Sequence, residues 1–475
     1  MEQLTPSAAS IAGATLIITF CLIVLQEAVN GFHDIANAVA TVIYSRAMKP
    51  YAAVTMSAVC NFIGVLVGGT SVAFSLVYLL PANMVAGINT VSEVSLFLAM
   101  IVTAVGWNLG TWWLGIPNST THAYIGSIIG IAMADAFLLG QPVAEQIHWH
   151  QGEKIMTALI VSPLVGFLLG VMLLRLIRGM VHDPAMFQPT EGENKPGLAI
   201  RGLLIAGSAG VSLMHGSNDG QKSIGLMMIA LFGLFPALYG LDPGRLNAAD
   251  FDRLIAVVEE VRNLGEQFEE GAASGKLDDG MNLAGARKLH EELVSKKNGN
   301  AMSAATAITV RKEILAIHGQ VAKLLKSREV KSRLTDVQAE RLEQAHAVLA
   351  EFIEHVPWWV MLLSASALGG GSMVGYRKIV TTLGEKMGSS RMNPAQGTAA
   401  QMSAVASIAL ADLGGLPVST THVLSSAVVG TVVATPHQHI NQKTIASIIM
   451  TWVTTLPGTV MLSFAMGIVF HLAFT

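Results

Sequence analysis

The chain has 475 residues, of which 52% are hydrophobic and 13% are charged, and its formal net charge is −3. Because soluble domains contain about 25% charged residues, this composition excludes an ordinary soluble protein and predicts an integral membrane protein. The sequence contains no basic patch that would predict a nucleic-acid partner. Its two cysteines both lie in apolar runs, so no disulfide framework is expected.

Along the chain lie apolar stretches long enough to cross a bilayer, which takes about 20 residues. The candidates are 11–30, 51–80, 91–116, 155–177, 198–215, 223–241, 356–373, 394–411 and 443–472. Shorter apolar pieces at 34–45, 123–140 and 423–435 predict half-helices or re-entrant segments. The expected fold class is an all-α integral membrane protein with about 10–12 transmembrane segments.

Basic residues indicate the orientation of these segments. Two groups flank loops that the positive-inside rule places in the cytoplasm, namely Arg175, Arg178 and Lys195, and Arg377, Lys378, Lys386 and Arg391. With no Lys or Arg before Arg46, the N-terminus is expected outside.

Most charged residues lie in one internal segment, residues 242–355. It holds 16 of the 29 Lys and Arg residues and 19 of the 32 Asp and Glu residues. Its apolar spacing, for example at Val258, Val261, Leu264 and Phe268, predicts helices. We therefore expect a cytoplasmic helical insert, either simply solvated on its charged face or engaged by a regulator or partner.

Two motifs occur twice, in the same order. Gly31–Asn37 (GFHDIAN) is matched by Gly216–Lys222 (GSNDGQK), and Pro117–His122 (PNSTTH) by Pro417–His422 (PVSTTH). The two motifs are farther apart along the chain in their second copies than in their first, by about the length of the insert. The chain is therefore predicted to contain two repeats, residues 1–180 and residues 181–241 with 356–475. Such repeats are typical of secondary transporters, whose substrate site lies near the bilayer midplane where broken helices meet.

The motif Pro-x-Ser-Thr-Thr-His combines a helix breaker with residues that cap a helix N-terminus. A helix N-terminus presents free N–H groups and the positive end of the helix dipole, which together suit phosphate and similar anions. The predicted anion ligands are Ser119, Thr120, Thr121, Ser419, Thr420 and Thr421. An ordinary helix cap is the alternative. His122 and His422 are equally compatible with ligation and with hydrogen bonds between helices.

The other motif places an ionisable residue at membrane depth, where it usually faces a polar cavity or a partner. Asp34 and Asn37 share one helical face, as do Asp219 and Lys222. Because a carboxylate repels an anion, Asp34 and Asp219 are predicted to hold a coupling ion, with His33 and Asn218 beside them. Asn37 and Lys222 are predicted substrate ligands. A structural Asp–Lys pair is the alternative.

In these residues the chain resembles the inorganic phosphate transporter (Pit) family. The family pattern is Gly-Ala-Asn-Asp followed by Ala-Asn or Ala-Lys, and Phe32, His33, Gly220 and Gln221 resemble its low-affinity bacterial branch. The run Val374–Thr382 (VGYRKIVTT) does so as well. His33 replaces the commoner Asn, so the family's sodium ligands are not transferred to this position.

This resemblance implies import of inorganic phosphate by proton symport across a bacterial inner membrane, in which the chain contacts lipid. It implies transport of phosphate as a neutral complex with Mg²⁺ or another divalent cation, whereas other branches use sodium. It also implies inverted repeats with broken helices, and a homodimer. We expect no other cofactor and assign no catalytic residue.

Three alternatives remain open at the level of sequence. The first is a sodium-coupled transporter, or a transporter of another oxyanion such as sulfate or arsenate. The second is a membrane sensor that binds phosphate without moving it. The third is an intramembrane hydrolase that uses Ser119 or Ser419 with His122 or His422, for which no arrangement of base and orienting group is evident.

Overall fold

A computed structural model describes residues 6–81, 84–85, 88, 90–116, 118–143, 147, 149–189, 196–241, 248–271, 283–296, 304–326, 332, 334–374 and 391–475. Several residues named above lie outside these ranges, namely Pro117, Lys195, Lys386 and residues 375–382.

The described residues form α-helices and one short 3₁₀ turn at Pro184–Met186, without a β-strand among them. The α-helices are α1 Pro6–Tyr44, α2 Pro50–Val67, α3 Ser71–Val77, α4 Val91–Leu114, α5 Thr120–Leu139, α6 Trp149–Met180, α7 Leu198–Leu234, α8 Pro236–Tyr239, α9 Ala248–Gly271, α10 Leu283–Lys296, α11 Ala304–Lys326, α12 Asp336–Ile353, α13 Trp358–Ser372, α14 Pro394–Leu413, α15 Thr420–Val433 and α16 Gln442–Phe474. The predicted all-α class is confirmed.

Seven of these helices are long and apolar enough to cross a membrane, by length and composition. They are α1, α2, α4, α5, α6, α7 and α16. The piece predicted at 123–140 belongs to α5, whereas the piece at 423–435 corresponds to the shorter apolar helix α15. The membrane class is therefore confirmed, and the figure of 10–12 segments stays a prediction.

The structure differs from the half-helix predicted at 34–45. Helix α1 continues through Gly31–Asn37 without a break, and α7 continues through Gly216–Lys222. The two leading glycines lie where another backbone comes very close. A Cβ on Gly31 would collide with the carbonyl oxygen of Leu368, and one on Gly216 with that of Asn61. Glycine thus allows close helix packing here, rather than breaking the helix.

The described residues belong to two compact units. The smaller consists of Met1–Ala9, Ala82–Asn89 and Met228–Val356, and the larger of the rest of the chain. The predicted insert, residues 242–355, falls within the smaller unit. The boundaries of the two repeats stay predictions.

The smaller unit has its own hydrophobic core. Helices α9 to α12 bury Val258, Val261 and Leu264 as the apolar spacing predicts, whereas the side chain of Phe268 lies outside the described part. Arg311 is also fully buried. Its guanidinium donates to the carbonyl oxygens of Gly240 (2.9 Å), Ile353 (3.0 Å) and Val85 (3.3 Å) and lies 3.7 Å from the centre of the Phe232 ring.

Helix pairing in the larger unit repeats between the halves of the sequence. Helix α16 packs on α5 and α4, and α6 packs in the same way on α15 and α14. Helix α4 also contacts α5 as α14 contacts α15. Each half thus supplies a long helix that covers the helix pair of the other half. This arrangement places the N-termini of α5 and α15, which contain the Ser-Thr-Thr-His motifs, within one unit.

Candidate functional site

The two Ser-Thr-Thr-His motifs begin helices α5 and α15 in the same way. The Ser119 hydroxyl accepts a hydrogen bond from the backbone N–H of His122 (3.1 Å), and the Ser419 hydroxyl accepts one from that of His422 (3.2 Å). Both serines are therefore N-caps, as the motif predicts. The two imidazole rings lie with their centres 4.4 Å apart, so the helix starts face each other at close range.

Asp34 and Asp219 are joined by the hydroxyl of Thr120. Its Oγ1 lies 3.3 Å from Asp34 Oδ2 and 3.4 Å from Asp219 Oδ2. Thr421, from the other motif, donates a hydrogen bond of 2.9 Å to Asp34 Oδ1. Both carboxylates are buried. Thr120 of the first motif copy thus bridges the two aspartates, and Thr421 of the second copy holds Asp34.

Asn37 and Lys222, one turn beyond the aspartates, make equivalent contacts across the halves. The Asn37 amide donates to Thr421 Oγ1 (2.9 Å), and the Lys222 ammonium donates to Thr121 Oγ1 (2.5 Å). Lys222 also donates to Asp219 Oδ1 (2.8 Å) and to the carbonyl oxygen of Val418 (3.1 Å). Lys222 is completely buried, and its ammonium group lies at the starts of α5 and α15.

Two histidines flank the aspartates. His33 Nδ1 lies 3.1 Å from Asp34 Oδ1. His215 Nε2 lies 3.8 Å from Asp34 Oδ2 and 3.6 Å from Asp219 Oδ2, and its Nδ1 is 3.1 Å from the Asn61 side-chain oxygen. Sequence reasoning missed His215. Its position one helical turn before Asp219, directly preceding Gly216, could have indicated it.

The three groups Asp34, His215 and Asp219 could hold a cation. One ligand atom from each lies within 4.8 Å of the others, and all three residues are buried. Two carboxylate oxygens and an imidazole nitrogen suit a divalent cation whose remaining ligands come from water or phosphate.

Asn218, although next to Asp219, makes its hydrogen bonds with a different part of the chain. The Asn218 amide donates to Asp412 Oδ1 (2.7 Å) and to the carbonyl oxygen of Leu416 (3.0 Å), and its oxygen accepts from the N–H of Val418 (3.2 Å). These contacts fix the segment before the second motif, together with a hydrogen bond from Ser217 to Asp412. They favour a positioning role for Asn218 over the predicted contact with a coupling ion.

Several buried polar atoms around the site make no hydrogen bond. Within the described ranges they are Asn37 Oδ1, His33 Nε2, His215 Nε2, Thr420 Oγ1 and His422 Nε2. Buried polar atoms in native proteins are nearly always paired with protein, water or ligand. These unpaired donors and acceptors, on α1, on α7 and at the start of α15, are therefore available to a small polar ligand.

Comparison with known proteins shows to which family this chain belongs. The model of the Phosphate transporter family matches residues 30–463. The chain belongs to the phosphate transporter family. It is 37% identical to the low-affinity inorganic phosphate transporter PitA of Escherichia coli K12, over 95% of both chains. It is 34% identical to the low-affinity inorganic phosphate transporter of Buchnera aphidicola from Acyrthosiphon pisum, over 93% of both.

A solved structure shares the fold. The chain resembles the structure titled "The sodium-dependent phosphate transporter" with a TM-score of 0.54 and 18% sequence identity, over 97% of this chain and 99% of that one. Membership of the phosphate transporter family confirms the resemblance that the paired motifs indicate.

Proposed function

We propose that this chain imports inorganic phosphate by proton symport across the inner membrane of a bacterium. The names of the relatives support phosphate as the substrate. The observation that carries the proposal is that two helix N-termini meet at the buried carboxylates of Asp34 and Asp219. The ammonium group of Lys222 lies beside them. Helix N-termini, threonine hydroxyls and an ammonium group are the donors that a phosphate needs.

The charges at the site give a reason for coupling. Asp34, Asp219 and Lys222 have a formal sum of −1, so a phosphate anion entering alone would add negative charge to a buried, already negative site. Such a state is costly in a membrane interior. A cation or proton must therefore bind together with the anion. The substrate would lie against Thr120, Thr121, Thr420 and Thr421, and the positive partner against the carboxylates.

The histidines favour protons as the coupling ion. Histidine is the side chain whose ordinary range of protonation covers neutral pH, and both His33 and His215 face Asp34. The Asp34, His215 and Asp219 group also supports co-transport of Mg²⁺ or another divalent cation. Such an ion bridges carboxylate and phosphate oxygens, and here it would be cargo.

The course of α1 and α7 supports inverted repeats. Asp34 meets Asp219 through Thr120, whereas Glu27, seven residues earlier on α1, meets Ser223, four residues later on α7. The two helices therefore run antiparallel where they meet. Since they hold the same motif, equivalent helices of the two repeats point in opposite directions. Inverted repeats that rock around a central site give alternating access.

The test is uptake of radiolabelled phosphate into proteoliposomes under an imposed pH gradient or an imposed sodium gradient, each with and without Mg²⁺. We expect accumulation driven by the pH gradient and increased by Mg²⁺. Accumulation driven by sodium alone would overturn proton coupling and leave a sodium-coupled transporter. Binding of phosphate without flux in every condition would identify a sensor. Inhibition by excess sulfate as strong as that by arsenate would contradict phosphate specificity.

The hydrolase alternative has little support at the site. Ser119 lies 2.7 Å from His122 Nδ1, but its oxygen already accepts from the backbone as a helix cap. A catalytic triad needs a third group to orient the base. Among the described residues, no hydrogen bond or ion pair joins His122 or His422 to a carboxylate.

A further inference from the structure

A further buried carboxylate, Glu27, lies outside the site described above. It precedes Asp34 by seven residues, two turns of α1, which corresponds to about 10 Å along the helix axis. Asn30 lies between them on the same face of the helix. All three side chains are buried. A polar stripe of Glu27, Asn30 and Asp34 thus runs along a helix that is otherwise apolar enough to cross a membrane.

Among the described residues, Glu27 has one hydrogen-bond partner, Ser223. The hydroxyl of Ser223 is in turn hydrogen-bonded to that of Tyr124. Ser223 Oγ donates to Glu27 Oε2 (2.5 Å), and Tyr124 Oη lies 3.0 Å from Ser223 Oγ. Because the single hydroxyl proton of Ser223 points to Glu27, the Tyr124 hydroxyl must donate to Ser223. Ser223 reaches Oε2, and Oε1 has no hydrogen-bond partner among the described residues.

The remaining oxygen of Glu27 and the amide of Asn30 have no partner among the described residues. Glu27 Oε1 and both amide atoms of Asn30 are buried without a hydrogen bond, and no ion pair to Glu27 occurs within the described ranges. An ionised carboxylate is very costly to bury unless it is paired. The Asp34, His215 and Asp219 group is the described set of three metal-type ligands, and Glu27 does not belong to it. A proton on Oε1 is therefore the cation that fits Glu27 best.

We infer that Glu27 is a proton-binding site of the transport cycle, separate from the phosphate site and connected to it along Asn30 and Asp34. Oε1 takes up one proton from the outer side and releases it to the inner side in each cycle, with no other bond made or broken. Tyr124 on α5 and His215, Asp219 and Lys222 on α7 are the titratable or charged groups that act on it. This inference rests on the proposed proton symport.

The decisive variant is Glu27→Gln, which keeps the side-chain shape and an oxygen that can accept from Ser223. Two rates are compared in proteoliposomes: phosphate–phosphate exchange at equal pH, and net accumulation under a pH gradient. We expect exchange within about twofold of the unmodified protein, and loss of both pH-driven accumulation and phosphate-dependent proton uptake. Asp135→Asn, another buried carboxyl in a membrane helix, is the matched control and should retain both rates.

The outcomes separate this inference from the proposed function. If the unmodified protein shows no pH-driven accumulation, proton symport itself fails. If it does, and Glu27→Gln still accumulates phosphate under a pH gradient, the assignment of Glu27 is overturned while symport stands. If a folded Glu27→Gln protein loses both exchange and accumulation, the inference is also overturned, because Glu27 would then belong to phosphate binding.

A second variant covers the case in which Glu27→Gln does not fold. Ser223→Ala removes the hydroxyl that stabilises the ionised carboxylate, so Glu27 should hold its proton to higher pH. We expect the pH of half-maximal accumulation to rise, with exchange at equal pH unchanged within about twofold. Tyr124→Phe should shift it in the same direction by a smaller amount. An unchanged pH profile in Ser223→Ala would overturn the inference.

Discussion

Asp34 is the residue on which most contacts of the site converge. It accepts a hydrogen bond from Thr421 and lies within reach of Thr120, His33 and His215. The carboxylate is therefore held from both motifs and from both repeats. A change in its charge should affect the coupling ion while one oxygen can still accept from Thr421.

We predict that Asp34→Asn abolishes phosphate accumulation under a pH gradient. The asparagine oxygen can still accept from Thr421 and the side chain keeps its shape, so the melting temperature of the purified protein should change by only a few degrees. Uptake in proteoliposomes and thermal unfolding in detergent measure the two effects. Accumulation at the unmodified rate would contradict the role of Asp34 in coupling.

The residues that sequence reasoning identified are those whose chemistry is unusual in a membrane. Asp34, Asp219 and Lys222 stand out because buried charge is rare there, and the structure brings them together. His215 was not identified because it has no matching histidine in the first repeat, where Asn30 occupies the equivalent place. Its role depends on Asp34, a contact between distant parts of the chain that no local pattern reveals.

At the scale of elements, caps were predictable and glycines were not. Ser119 and Ser419 cap their helices as the motif predicts, because a cap involves atoms only three residues apart. Gly31 and Gly216 were expected near helix breaks. They instead lie inside long helices, because the need for glycine there arises from Leu368 and Asn61 on other helices.

Replacement of either packing glycine should therefore destabilise the protein. We predict that Gly31→Ala and Gly216→Ala each lower the free energy of unfolding by about 1 to 3 kcal/mol, since the new Cβ meets backbone that cannot rotate away. Gly106→Ala is the matched control, because a Cβ at this position of α4 has no neighbour within 4 Å. Thermal unfolding in detergent should show a loss of stability for the first two variants and no loss for the control. Equal stability of all three would refute close packing as the role of these glycines.

At the scale of the whole molecule, the described parts of the charged segment form helices α9 to α12 around a hydrophobic core of their own. Its composition predicted helices, and its core of Val258, Val261 and neighbouring residues follows the predicted period. Arg311 was not predictable, because its three acceptors, Val85, Gly240 and Ile353, lie far apart in the sequence.

We predict that Arg311→Ala loosens this unit. Each buried carbonyl oxygen that loses its donor costs about 1 to 3 kcal/mol, so limited proteolysis should cleave residues 242–355 much faster. Arg341→Ala removes an exposed arginine paired with Glu260 and should cost less than about 1 kcal/mol. If both variants resist protease equally, Arg311 does not stabilise the unit.

The crossed contacts Asn37–Thr421 and Lys222–Thr121 have a consequence for how such a chain could have arisen. If one ancestral repeat had formed a symmetric pair, both positions would have held the same residue, giving either no lysine or two against two aspartates. A duplicated and fused chain, by contrast, can hold one lysine in one half and one asparagine at the matching place in the other. With that single lysine the two aspartates leave a net charge of −1 at the site, which three protons would neutralise together with a divalent phosphate and two with a monovalent one.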